Sequence, residues 1–214
     1  MSLLVGEPIL GLEQIQRAML AQLARTVNPA LEQIQAWMGP SDEQIAAALG
    51  QEYEPTLLEP ILPQNFVEGH RPSLIDAPIT NYPNLAVWAV RASATPESEV
   101  FDQLSVNSIL VYIEVMVKSI ASEEEVNRRL QRTVEAINIA AMSDTTLGGV
   151  VTGFDGDPLV ELADLFTRKE RTAYGPEWFW QGARLEYAVR KEAVIPSSSA
   201  GSFFRTAQFD IDQA

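Results

Sequence analysis

The chain has 214 residues, a hydrophobic content of 46% and a formal net charge of −14 at pH 7, which suffices for one sizeable core. It contains no cysteine, which excludes disulfides, thiolate catalysis and cysteine-based metal sites. Only 15 Lys and Arg residues are present, so a groove that grips DNA through clustered cations is not expected.

The N-terminal part of the chain, residues 1–50, has helical spacing. Apolar residues recur every three or four positions, namely Leu12, Ile15, Met19, Leu23 and Val27. Pro29 is expected to break this helix and restart it, and Gly39 with Pro40 is expected to end the second piece. Ser41 with Gln44 then has the form of a capping box before a short helix at 42–49. The opening decapeptide lacks a basic segment and a cleavage site, so a signal peptide is not expected.

Residues 51–83 form a proline-rich arm with six prolines, at positions 55, 60, 63, 72, 78 and 83. Its apolar side chains need a surface to pack against. We expect an extended arm that lies over its own domain or over a neighbouring subunit.

The core is expected at residues 84–195, followed by an extended C-terminal tail at 196–214. Strands are predicted at 84–93, 107–119, 150–154 and 178–195, from runs of β-branched and alternating residues. Residues 159–168 are predicted to be a short helix or irregular. Ser122 and Glu125 form a capping box that begins an amphipathic helix, and the Leu147-Gly148-Gly149 sequence is expected to turn the chain. The chain is therefore one domain with appendages, of the α/β (α+β) class, with a mixed, mainly antiparallel sheet flanked by helices.

No residue set in the sequence predicts catalysis. His70 is the only histidine, and it lies in the proline-rich arm with no nucleophile motif nearby. Asp155 and Asp157 could suggest calcium, but position twelve of such a loop is Phe166 where a Glu is needed, so a solvated turn is the better interpretation. We predict no cofactor and no metal, and keep a metal-assisted hydrolase that uses these two aspartates as the least favoured alternative.

Candidate subunit contacts come from three places. The strand at 107–119 carries β-branched residues on one face, while its other face is mixed and includes Tyr112, Glu114 and Met116. The only positive cluster comprises Arg168, Lys169 and Arg171, which faces solvent or forms ion pairs with an acidic neighbour. The tail adds Phe203, Phe204 and Phe209. The aromatic run at 178–180 is interpreted as core or interface packing.

Residues 109–195 resemble the tail terminator (tail-completion) proteins of tailed bacteriophages. The shared order is an alternating strand (VYIEVMVKS), an Arg-rich amphipathic helix (EEEVNRRLQRTVEAINIAAM), a small-residue turn (DTTLGGVVTG) and a long charged strand (GARLEYAVRKEA). The match covers about 40% of the chain, and the Leu147-Gly148-Gly149 turn is its most specific part.

This resemblance implies a structural virion protein of the tail or neck, assembled in the bacterial cytoplasm, and not an enzyme. Six copies would form a ring that caps the tail tube, stops its growth and joins it to the neck connector. Implied partners are further copies of the chain, the tail tube protein, a neck protein and, in a contractile tail, the sheath. Genomic DNA would pass through the channel unbound, because it does not adhere to an acidic or neutral wall. No membrane partner is expected. The alternative is another neck, connector or baseplate subunit.

Overall fold

The computed structural model describes residues 11–53, 55–68, 82–97, 103–156, 158–171 and 177–195. Two helices and six strands lie in these ranges, together with a short 3-10 helix at Pro63–Asn65. The helices are α1 (Leu12–Leu49) and α2 (Glu123–Met142). The strands are β1 (Phe66–Glu68), β2 (Asn84–Glu97), β3 (Gln103–Ser119), β4 (Gly153–Phe154), β5 (Leu159–Arg171) and β6 (Glu177–Ile195).

The strands form one sheet in the order β1-β2-β3-β6, and both β4 and β5 pair with the far side of β6. Only the β1–β2 pair is parallel. The predicted fold class, a mixed and mainly antiparallel sheet with helices, is confirmed. Its centre is β3, all 17 residues of which pair with β6.

Both helices pack on one face of the sheet. The β-branched side of β3 faces them and is almost completely buried, as the alternation predicted, at Ile109, Val111, Ile113, Val115 and Val117. The same hydrophobic cluster contains residues of α1 from Ile15 to Ile34 and of α2 from Val126 to Ala141. Helix α1 is therefore part of the main core.

The expected break of the N-terminal helices is wrong, because α1 continues through Pro29 and Pro40 to Leu49. An internal proline costs a helix about 3 kcal/mol. Burial of Val27, Leu31 and Ile34 on both sides of Pro29 offsets this cost, at roughly 1.5–3 kcal/mol for each large apolar side chain. Gly50, in the left-handed conformation, ends the helix with Gln51 donating to the Ala46 carbonyl.

Polar contacts fix α1 against α2. The Gln22 side-chain amide donates to the carbonyls of Ala140 and Ala141 at 3.1 and 2.7 Å. Farther along, Arg132 binds both carboxylate oxygens of Asp42 at 2.7 and 2.6 Å, and its side chain is buried. Its burial is a consequence of α1 extending past residue 40.

The described part of the proline-rich arm packs on its own chain. The Ile61 backbone forms two hydrogen bonds with the Asn28 side chain, at 3.0 and 2.9 Å, and the Leu58 N–H donates to Gln35. Thr56 donates to Glu125 near the beginning of α2. Residues 69–81 of the arm and the tail at 196–214 lie outside the described residues.

The turn after α2 is built around Asp144. Its carboxylate accepts hydrogen bonds from the N–H and hydroxyl of Thr146 and from the Gly148 N–H, at 2.9, 2.6 and 2.8 Å. Leu147, Gly148 and Gly149 then take positive φ angles of 51°, 69° and 84°. Leu147 accepts this unfavourable conformation because its side chain is buried in the core.

The predictions for two segments after α2 need correction, and the prediction of the last strand is confirmed. The strand expected at 150–154 is limited to Gly153–Phe154. Residues 159–168, expected to be a short helix or irregular, belong to β5, which pairs with β6 and has an irregularity between Ala163 and Arg168. Pairing with a long neighbour overrides the weak local preference of this segment. The final strand, expected at 178–195, is β6.

The two capping boxes predicted from the sequence provide a matched test. The Ser122 hydroxyl accepts from the Glu125 N–H at 3.0 Å, whereas Ser41 is exposed inside α1. We expect Ser122→Ala to lower the free energy of unfolding by about 1 kcal/mol. Ser41→Ala should be neutral or raise it by up to about 0.5 kcal/mol. Urea denaturation measures both, and an equal loss would contradict the assigned helix starts.

The Asp144 turn predicts a shifted titration. The Thr146 hydroxyl bond, and then the Gly148 and Thr146 N–H bonds, hold the pKa of Asp144 below its ordinary value. The turn is therefore stabilised above the ordinary aspartate pKa of about 3.9, and this contribution is lost as the pH falls through the lowered pKa. NMR titration of Thr146→Ala should show the Asp144 pKa rising, with Thr145→Ala as the control. No rise would contradict this geometry.

Candidate assembly surface

The face of the sheet opposite the helices carries charged and aromatic side chains from three strands, and we call it the open face. Its rows follow the strand register: Ala86, Glu114 and Arg184 form one row, and Trp88 and Tyr112 lie in the next. The alternation of β3 predicted this face, since Tyr112, Glu114 and Met116 all lie on it.

An ion pair lies at the centre of the open face. Nε and Nη2 of Arg184 donate to Oε1 of Glu114 at 3.1 and 2.7 Å. Glu114 is fully buried, while the Arg184 side chain is 28% exposed. A carboxylate buried to this degree needs a cation at hydrogen-bonding distance, and Arg184 supplies it from the neighbouring strand.

Aromatic rings hold the guanidinium of Arg184 in place. Trp88 and Tyr112 stack with ring centroids 5.1 Å apart and an angle of 17° between the planes. The Arg184 Cζ lies 5.5 Å from the Trp88 ring and 5.7 Å from the Tyr112 ring. Each such contact contributes about 0.5–2 kcal/mol, depending on desolvation. Trp88 and Tyr112 are half-buried and so present part of their rings at the surface.

A second aromatic group lies toward the other end of β3. Lys118 Nζ is 5.0 Å from the Trp178 ring centroid and 5.9 Å from that of Tyr82. Trp180 packs against both rings, with centroid distances of 6.2 Å to Trp178 and 6.4 Å to Tyr82. Burial lowers the pKa of Lys118, and the Glu59 carboxylate opposes this shift.

The residues predicted as subunit contacts have different positions in the structure. Glu114 and Met116 are fully buried, so of the three residues singled out on β3 only Tyr112 is accessible to a partner on this face. Arg168, Lys169 and Arg171 all lie in β5, at the edge of the sheet. The remaining three, Phe203, Phe204 and Phe209, are outside the described residues.

Sequence reasoning did not single out Arg184, Trp88 or Lys118. The sequence allows this pair to be found once β3 and β6 are aligned as antiparallel neighbours, because Glu114 and Arg184 then lie directly opposite each other and carry opposite charges. The aromatic run at 178–180 divides between the two faces, because Phe179 packs against the main core whereas Trp178 and Trp180 belong to the open face.

The described ranges contain no cluster of three or more His, Asp or Glu side chains that could hold a metal ion. Asp155, one of the two candidate metal ligands, pairs with Arg190 at 3.1 Å. Asp157 and His70 lie outside the described residues, so the structure places neither of them. Within the part of the chain that is described, no helix has the length and hydropathy needed to cross a membrane.

No protein-family model matches the chain, and no curated protein matches it.

The buried ion pair predicts a large difference between two arginines of β6. We expect Arg184→Met to lower the free energy of unfolding by about 3–5 kcal/mol, because it removes the guanidinium that lies at hydrogen-bonding distance from the buried Glu114 carboxylate. Arg190→Met removes the exposed pair with Asp155 and should cost less than about 1 kcal/mol. In the double variant Glu114→Gln/Arg184→Met, the loss should be smaller than the sum of the single losses. Denaturation of the wild type, the two single variants and the double variant measures these free energies of unfolding. Losses that simply add would contradict a direct interaction between Glu114 and Arg184.

Proposed function

We propose that the chain is a tail terminator of a tailed bacteriophage. In this proposal six copies form a ring that caps the tail tube, stops its growth and joins it to the head–neck connector. The ring leaves a channel through which genomic DNA passes. The protein acts in the virion after assembly in the bacterial cytoplasm, through contacts with other copies and with tube and neck proteins.

The observation that carries this proposal is the position of the segment that resembles tail terminators. Residues 109–195 include most of β3, all of α2, the Asp144 turn and all of β4, β5 and β6, and they form the centre of the sheet and part of its helical cover. The resembling segment therefore supplies the centre of the sheet and one of the two helices that share the main core. The other helix, α1, packs against α2 and against the arm.

Charge supports a surface along which DNA slides without sticking. The arginines of α2 are engaged in ion pairs: Arg128 with Glu124, Arg129 with Glu125 and Glu59, and Arg132 with Asp42. They do not present a row of unneutralised cations, which a nucleic-acid groove requires. With a net charge of −14, the chain as a whole repels a polyanion at distances up to roughly a Debye length, about 8 Å at physiological salt.

The proposal is tested by the mass of the purified protein and by its effect on tube assembly. Light scattering should give a mass that is a whole-number multiple of the 23.6 kDa chain, and negative-stain images should show rings. Added to the polymerising tube protein of the same phage, the protein should shorten the tubes and appear at one end of each. Tubes of unchanged length with no density at their ends would refute the terminator function.

A further inference from the structure

The described strands form a sheet with two edges. At one edge, β1 pairs with β2, and no other described strand pairs with β1. At the other edge, β5 pairs with β6, and no other described strand pairs with β5. Leu159 and Val160, at the beginning of β5, are 59% and 38% exposed. Unpaired edges present rows of N–H and C=O groups to which another strand can add.

The two edge strands, β1 and β5, overlap in register, so that residues of both lie in the same rows across the sheet. Following the register from strand to strand, a single row contains Glu68 of β1, Val87, Ile113, Leu185 and finally Val160 of β5. The next row begins at Val67 and ends at Glu161. When the β5 of a neighbouring copy adds to β1 in this register, each row of one sheet continues into the same row of the next. A head-to-tail contact of this kind closes into a ring when the rotation between copies closes, and otherwise produces a filament.

Strand direction and side-chain alternation also match. Because β1 runs parallel to β2, and β2, β3, β6 and β5 alternate in direction, β5 of a neighbour would be antiparallel to β1. Position 160 shares the row of Leu185 and so lies on the helix side of the sheet, the same side as Phe66. The row alignment thus keeps the helices of adjacent copies on one side of a continuous sheet.

A groove beside β1 offers space for the incoming apolar side chain. It has a volume of about 410 Å³ and lies between α1 and the helix side of β1. Its lining is largely apolar, with Leu20, Ala24, Ile61 and Phe66, and it also includes Arg17 and Glu68, which form an ion pair at 3.1 Å. A helix beside an exposed strand edge is the arrangement that other proteins use to accept an added strand, with a pocket for alternate side chains.

We propose that β5 of one copy adds as an antiparallel strand to β1 of the next, so that a single sheet continues around the ring. This inference rests on the proposed function, because it specifies the contact that joins the ring subunits. The contact is head-to-tail: each copy uses its β5 edge toward one neighbour and its β1 edge and groove toward the other. Val160 enters the groove, and Val67 lies opposite position 161 on the open face.

Cysteine cross-linking tests this register directly, because the chain has no cysteine of its own. In the full-length double variant Val67→Cys/Glu161→Cys, mild oxidation should produce a ladder of covalent oligomers on a non-reducing gel. The two positions of one chain are four strand spacings apart, roughly 19 Å, so an internal disulfide cannot form. The matched control is Val67→Cys/Val160→Cys, whose second cysteine lies on the opposite face and should yield no ladder.

A second test places a charged side chain on the β5 edge. Val160→Lys should reduce the mass of the associated protein to that of the 23.6 kDa monomer, with an unchanged circular dichroism spectrum. Ile120→Lys is the control, since Ile120 is similarly apolar and 55% exposed but lies in the turn after β3. This substitution should leave the mass unaltered.

The possible failures are distinguishable. If the wild-type protein forms rings, but the 67/161 variant yields no ladder and Val160→Lys still assembles, the edge contact is refuted and the ring function stands. Equal cross-linking in the 67/160 control also refutes the contact, as it indicates random collision. A wild-type protein that is monomeric at every concentration, together with a 67/161 variant that yields no ladder, refutes both.

Discussion

The pairing of β3 with β6 along 17 residues is the interaction on which the remaining structure depends. It buries β3 between two neighbouring strands and aligns the apolar side chains that α1 and α2 cover. The same register places Arg184 opposite Glu114, and it brings β1 and β5 to one level at opposite edges of the sheet. A shift of one residue in this pairing would turn every side chain of the shifted strand to the wrong face of the sheet. The same register therefore determines both the main core and the open face.

Helix α1 extends the fold beyond the core of residues 109–195. It contributes apolar residues to the core, and Gln22 and Asp42 attach it to α2 at two separate points. The arm then follows α1, held by Asn28 and Gln35. These contacts leave the edge beside β1 open as a groove, because α1 lies over the helix side of β1 and the arm leads into β1 itself.

Local sequence signals predicted the elements that are defined by periodicity and capping. The β-branched alternation of β3, the Ser122 cap and the Gly148-Gly149 turn were all readable, because each depends on residues close together in the chain. The continuity of α1 through two prolines was not, since it depends on packing against α2. The strand identity of β5 likewise depends on pairing with β6. The buried Glu114–Arg184 pair joins residues 70 positions apart, so it requires the sheet register to be known first.

Electron cryomicroscopy of the purified, assembled protein would test the account most directly, because it shows both the closure of the assembly and the strands at the subunit boundary. The account predicts a closed ring in which β5 of each subunit lies antiparallel to β1 of the next, with all helices on one side of a continuous sheet. A ring joined through its helices would contradict the proposed contact. A protein that remains a monomer would contradict assembly by this surface altogether.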